Sequence, residues 1–154
     1  MQFVEPRLAS QRDGPSPEAA RTGQTTAEKV GHGTAVLIVE DDFLIAMQTE
    51  IALADAGFAV VGVATTADEA LALAREHKPG LVIMDIRLVG QRDGIDAAGD
   101  LFRELGLRCV FATAHDDQRT RARAEPFAPL GWLTKPYTMA SLIIMLREAI
   151  SKQT

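Results

Sequence analysis

The chain has a single cysteine, Cys109, among 154 residues. It therefore cannot form an internal disulfide. A lone thiol inside the apolar stretch Arg108-Cys-Val-Phe-Ala reads as a small buried hydrophobe in a reducing, cytoplasmic setting rather than as a nucleophile. Excess positive charge is missing as well: 16 basic against 21 acidic side chains leave a net −5. That balance disfavours nucleic acid as a ligand, and no DNA-binding motif is present. No apolar run approaches the ~20 residues needed to cross a bilayer, and the first residues lack the apolar core of a secretory signal, so membrane insertion is not expected. His32 and His77 share no ligand spacing with each other or with Cys109, which argues against zinc or iron. No internal repeat occurs, and no G-x-G-x-x-G follows the first apolar run, so dinucleotide binding is disfavoured. What remains is an ordinary globular composition, 47% apolar and 24% charged, with enough chain for one domain and a real core.

Residues 1 to 33 stand apart. They carry Pro6, Pro15, Pro17, Gly14, Gly23, Gly31 and Gly33 without any strand or helix period. Their charges cancel, Arg7, Arg12, Arg21 and Lys29 against Glu5, Asp13, Glu18 and Glu28. This composition predicts a disordered N-terminal extension ahead of one domain spanning 34–154.

From residue 34 a regular alternation sets in. Ala35 to Val39 is a short apolar run, followed by helical spacing at Leu44, Met47, Ile51 and Ala54 that Gly57 closes. Phe58 to Val63 is the second β-rich run. Thr66-Ala-Asp-Glu69 is a capping box opening a helix through His77, stopped by Lys78-Pro79-Gly80. Leu81 to Met84 forms the third strand, and Asp93 caps a helix to about Leu105. Arg108 to Ala112 is the fourth strand and Gly131 to Thr134 a short fifth. Thr138 caps a last helix whose inner face is Leu142, Met145, Leu146 and Ala149. Between Ala114 and Gly131, Pro126 and Pro129 restrict helix to about Asp117–Ala124 and predict loop for the rest.

Apolar strands without two-residue alternation argue for a parallel sheet covered on both faces. With right-handed crossovers the fold is a doubly wound, three-layer α/β domain on five parallel strands. Ligands of such sheets bind outside the carboxyl ends of the strands. Glu40, Asp41 and Asp42 follow the first strand, Asp85 the third, Thr113 the fourth and Lys135 the fifth. Each alone has a bland explanation: capping, a commonplace threonine, a solvated lysine. Together they place acids, a hydroxyl and an ammonium at four strand ends on one edge. Converging carboxylates raise each other's pKa unless a cation sits among them. Mg²⁺ with a neighbouring ammonium suits a transferring phosphoryl group, and a carboxylate can itself be the nucleophile.

At this point the residues resemble a known family. Val-Leu-Ile-Val-Glu-Asp-Asp, Val-Ile-Met-Asp85, Phe-Ala-Thr113 and Leu-Thr-Lys135-Pro136 are similar to the receiver domains of two-component response regulators, over residues 34 to 154. The resemblance implies a flavodoxin-like sheet of strand order 2-1-3-4-5. It implies that Asp85 accepts a phosphoryl group from a phosphohistidine. It further implies that Glu40, Asp41, Asp85 and the Arg87 backbone carbonyl hold Mg²⁺, and that Thr113 and Lys135 bind phosphoryl oxygens. Thr113 and Trp132 match the switch pair, His115 and Arg87 the positions that tune the lifetime of the acyl phosphate. Lys135-Pro136 falls where the family commonly has a cis peptide that aims the ammonium inward.

Three departures accompany the resemblance. Asp85 to Gly94 is one residue longer than usual, with Val89 in place of a proline. Trp132 replaces the usual Tyr or Phe and either moves with Thr113 or packs on the shortened fourth helix. That shortened helix alters a surface used for output and dimerisation, a feature of divergent stand-alone receivers. Arg119, Arg121 and Arg123 on it read as a solvated face.

The chain runs out after the fifth strand and its helix, so the expected output is a protein partner, a relay step or a phosphoryl sink. The expected donor is a sensor histidine kinase or histidine phosphotransfer protein, and a homodimer is compatible with the pattern. No turnover of a small substrate is expected. A haloacid-dehalogenase-like phosphatase would need a second aspartate where Arg87 stands, and a phosphorylation-independent adaptor would not need all five polar residues.

Overall fold

The computed structural model describes residues 30–114 and 116–153. The expectations for His115 and for residues 1–29 therefore fall outside the described residues. Among the described residues five strands and five α-helices alternate: β1 Ala35–Val39, α1 Phe43–Asp55, β2 Ala59–Ala64, α2 Ala67–His77, β3 Leu81–Met84, α3 Gly94–Leu105, β4 Cys109–Thr113, α4 Gln118–Ala124, β5 Gly131–Thr134 and α5 Met139–Gln153. The strands form one parallel sheet in the order β2-β1-β3-β4-β5, as the resemblance implies.

Two apolar layers explain why the strands read as unbroken hydrophobic runs. On one face Leu37, Val39, Val82, Met84, Cys109 and Phe111 pack under α2, α3 and α4. On the other, Val36, Ile38, Leu81, Ile83, Val110 and Ala112 pack under Leu53 of α1 and Leu142, Leu146 and Ala149 of α5. Each Val, Leu, Ile, Met and Phe among them contributes roughly 1.5–3 kcal/mol by leaving water. Burial also pushes the Cys109 thiol up to about 12, in keeping with a core hydrophobe.

The caps follow the local chemistry. Asp42 accepts from the Leu44 and Ile45 amides, Thr66 from Glu69, and the Ser141 amide donates to Thr138. Asp93 and Asp96 form a reciprocal capping box. Residues 30–33, which composition groups with the extension, make a turn against α1 and β2: Gly33 N–H donates to the Gly57 carbonyl at 2.8 Å. Gly31 there has φ +90°, and a Cβ would meet the Phe58 ring at 2.6 Å.

Two strands start one residue later than their apolar patterns predict, β2 at Ala59 and β4 at Cys109. Phe58 instead donates to the Leu53 carbonyl in the closing turn of α1. Thr113 is the last residue of β4. After α4, where loop is expected, Glu125–Phe127 forms a 3₁₀ turn. Pro126 fits there because the first turn of a helix needs no N–H from it.

Candidate functional site

Each polar residue at the carboxyl edge is delivered by the strand before it. The Glu40 amide donates to the Ala64 carbonyl and the Asp85 amide to the Val39 carbonyl, which extends the sheet by one bond past β1 and β3. Lys135 N–H donates to the Thr113 carbonyl at 2.8 Å, fixing the end of β5 against β4. The Lys135–Pro136 bond is cis, as expected. The result is a cleft of about 240 Å³ lined by Glu40, Asp41, Asp85, Arg87, Thr113 and Lys135, among others.

Two carboxylates and a hydroxyl of this cleft are buried. Glu40 is 5% exposed, Asp85 6% and Thr113 1%. Lys135 Nζ donates to Glu40 Oε1 at 2.8 Å and to Asp85 Oδ2 at 3.3 Å. Burial and a hydrogen bond to Asp85 hold the Glu40 carboxyl above its ordinary range, against the pull of Lys135. Burial opposes the Lys135 charge, yet the bonds and fields of Glu40 and Asp85 outweigh it and raise the ammonium's pKa. One cation thus serves two buried carboxylates, with Asp41 exposed beside them.

Carboxylate oxygens of Glu40, Asp41 and Asp85 lie within 4.8 Å of one another, close enough to converge on one ion. Hard oxygen donors on a crowded acidic site fit Mg²⁺. Asp42 has a different task. Its Oδ1 takes both amides at the start of α1, so the third acid of the Glu-Asp-Asp run is a cap. Arg87 lines the same cleft with an exposed side chain.

Trp132 sits on the opposite face of the sheet from α5. Its ring stacks on Phe111 with centroids 4.6 Å apart and planes at 19°. The Arg121 guanidinium of α4 covers it, 5.0 Å from the centroid. Arg121 also pairs with Asp116, and Asp116 accepts from the Thr134 hydroxyl at 3.2 Å. The fourth helix is therefore not a simple solvated face. Arg121 binds Asp116 and Trp132, and Arg123 binds Asp93, while Arg119 is exposed.

Sequence reasoning overlooked Gly94. A Cβ at that position would stand against the Asp85 carbonyl oxygen and the Ile86 Cα, and the Gly94 amide donates to the Ile86 carbonyl at 2.6 Å. A glycine directly after the Asp93 cap was the available signal. The longer loop from Ile86 to Asp93 is held at both ends: Val89 N–H donates to the Thr65 carbonyl at 3.3 Å, and Arg92 pairs with Asp100 and Asp68.

Comparison with known proteins agrees with the geometry. Residues 36–147 match the family described as Response regulator receiver domain. The transcriptional regulatory protein PdtaR of Mycobacterium tuberculosis is 37% identical over 131 residues, covering 85% of this chain and 63% of that protein. The phyllosphere-induced regulator PhyR of Methylorubrum extorquens is 36% identical over 119 residues, 76% of this chain and 43% of that one. The chain thus spans less than two thirds of the length of these curated relatives. Among solved structures, the signal receiver domain of a modulated diguanylate cyclase from Desulfovibrio desulfuricans G20 superposes with a TM-score of 0.73 at 35% identity, covering 79% of this chain and 96% of its own. The PhyR receiver domain of Erythrobacter litoralis gives 0.69 at 31%, covering 78% and 92%. Among the described residues no helix is long and apolar enough to cross a membrane. Fold, cleft and relatives agree: this chain belongs to the response regulator receiver domain family of two-component signalling.

Proposed function

We propose that Asp85 accepts a phosphoryl group from the phosphohistidine of a sensor histidine kinase or histidine phosphotransfer protein. Glu40, Asp41, Asp85 and the Arg87 backbone carbonyl would hold Mg²⁺ for this step. The observation that carries the reading is the convergence of three carboxylates and one ammonium in a single cleft, delivered by the ends of three strands. An Asp85 oxygen bonds to phosphorus as the bond from phosphorus to the donor's imidazole nitrogen breaks, and that nitrogen keeps the electron pair. Bound Mg²⁺ would neutralise charge on the transferring oxygens. Lys135, shared between Glu40 and Asp85, then binds one phosphoryl oxygen, and the Thr113 hydroxyl binds another.

The acyl phosphate biases two arrangements of the surface beside the cleft. Thr113 ends the strand that carries Phe111, and Phe111 stacks on Trp132 under Arg121. A shift of Thr113 toward phosphate therefore reaches α4 through this stack and the Asp116–Arg121 pair. Arg87 at the cleft, with His115, sets how readily water reaches the phosphate. The outer face of α1 exposes Phe43, Leu44, Met47 and Ile51 next to the cleft, an apolar strip suited to a helix of the phosphodonor. Output then passes to a protein partner or onward along a phosphorelay.

The test is incubation of the full chain with acetyl phosphate and Mg²⁺. The wild type should acquire an acid-stable, base-labile phosphate that a chelator prevents and that Asp85→Asn lacks. A wild type that stays unmodified while keeping a protein partner would make the domain a phosphorylation-independent adaptor. Turnover of a phosphorylated small molecule would make it a phosphatase.

A further inference from the structure

The loop that follows Asp85 is tied to α4 by one side chain. Arg123 Nη1 donates to Asp93 Oδ2 at 2.7 Å and Nη2 to Asp93 Oδ1 at 3.2 Å, and the guanidinium lies 3.5 Å from Asp96 Oδ1. Asp93 is itself the cap of α3: its Oδ1 accepts from Ile95 at 3.0 Å and from Asp96 at 2.9 Å. Burial works against this carboxylate, but Arg123 and the capped amides more than offset it and lower its pKa. The next residue, Gly94, is backed onto the Asp85 carbonyl and donates to Ile86. An unbroken series of short contacts thus runs from α4 through Arg123, Asp93 and Gly94 to the backbone of the phosphoacceptor. Arg87 lies inside the loop that this series closes.

The far side of the tether is weakly anchored. Helix α4 has only seven residues, Ala124 is the only one of them that is buried, and Pro126 follows in a 3₁₀ turn. A short helix with so little buried surface depends on its polar links for position. A bidentate guanidinium–carboxylate pair supplies direction as well as attraction, which a lone ammonium does not.

We propose that Arg123 is a positioning residue for phosphoryl transfer: held on α4, it seats the Asp93 cap and thereby the loop whose Arg87 carbonyl completes the Mg²⁺ donor set. The inference rests on reading the cleft as a Mg²⁺-assisted phosphoacceptor. By linkage the effect runs both ways, so a partner that draws α4 away weakens the ion's hold, and a bound ion steadies α4. Charge alone predicts the opposite sign. Removing a nearby cation should tighten Mg²⁺ binding, whereas removing a support for the loop should loosen it.

The experiment measures Mg²⁺ affinity of the full chain by competition with Mn²⁺, read as free Mn²⁺ by electron paramagnetic resonance, in wild type, Arg123→Gln and Arg123→Lys. Amide hydrogen exchange of Ile95 and Asp96 in chelator supplies a readout that needs no metal. Arg123→Gln should bind Mg²⁺ roughly three- to tenfold more weakly, below the ~10–100-fold of a group bonded directly to a ligand. Arg123→Lys should recover part of the loss, and Ile95 and Asp96 should exchange faster in Arg123→Gln. Equal or tighter Mg²⁺ binding by Arg123→Gln overturns the proposal, as does unchanged exchange at both amides. A wild type that takes up neither ion overturns the reading of the cleft itself, and the exchange arm still decides whether Arg123 holds the loop.

Discussion

The cleft at Asp85 and the face around α4 are both held by ion pairs, yet the pairs do different work. In the cleft Glu40 and Asp85 are almost wholly buried and share Lys135, whose side chain is 18% exposed. Around α4 the pairs of Arg121 and Arg123 are wetter, with arginine side chains 50% and 46% exposed. Buried charges that lose a partner cannot be rescued by water, and exposed ones can. The first region should therefore respond to mutation in stability and chemistry together. The second should respond chiefly in geometry.

The largest effect is expected where the regions meet. Gly94→Ala drives a methyl group into the Asp85 backbone, which has no room to yield. Denaturant unfolding should show a loss of ~3 kcal/mol, the upper end of overpacking, with phosphorylation impaired in whatever folds. Next comes Lys135→Ala, which strands two buried carboxylates. It should cost about 3 kcal/mol, the low end for a broken buried pair because the lysine keeps some contact with water. The Lys135 pKa is raised by Glu40 and Asp85 against burial, so its contribution is complete below the ordinary 10.5 and fades as pH climbs through the raised value. Wild type and Lys135→Ala should accordingly converge in stability in strongly alkaline unfolding.

The third prediction has the opposite sign. Burial and Asp85 hold the Glu40 carboxyl above its ordinary range, so its charge opposes folding near neutrality. Glu40→Gln should raise stability in the absence of divalent ions while weakening Mg²⁺ binding. A stabilised variant with unchanged metal affinity would separate Glu40 from the donor set. The smallest effect belongs to the second region: Arg121→Ala should cost only ~0.5–1 kcal/mol, chiefly its stacking on Trp132. It should nonetheless alter Trp132 emission and the response of that emission to phosphorylation. A large loss of stability there would contradict the contrast between the two regions.

The same contrast accounts for what could be seen in the sequence. Strand cores have no period to hide in, so Ala35–Val39, Leu81–Met84 and Cys109–Thr113 announce themselves by composition, and the polar residue that ends each run marks the carboxyl edge. Once Asp41, Asp85, Thr113 and Lys135 fall on one edge, the cleft follows from topology. Surface pairs leave no such trace. Arg123 meets Asp93 thirty residues back, so that partner could not be named before the fold, whereas Arg121 reaches only five residues back to Asp116, just ahead of the α4 cap. Pro126 misled for a related reason: proline reads as a break, yet a 3₁₀ first turn accepts it. Gly94 was legible and overlooked, because a glycine opening a helix looks like a weak residue until the carbonyl behind it is placed.

Reductive trapping identifies the acceptor residue itself. The full chain is treated with acetyl phosphate and Mg²⁺, reduced with borohydride, which converts an aspartyl phosphate to homoserine, and digested for peptide sequencing by mass spectrometry. Homoserine is expected at position 85, abolished by chelator. Homoserine at Asp41, Asp42 or elsewhere instead, or none in a folded protein that binds Mg²⁺, would contradict Asp85 as the acceptor.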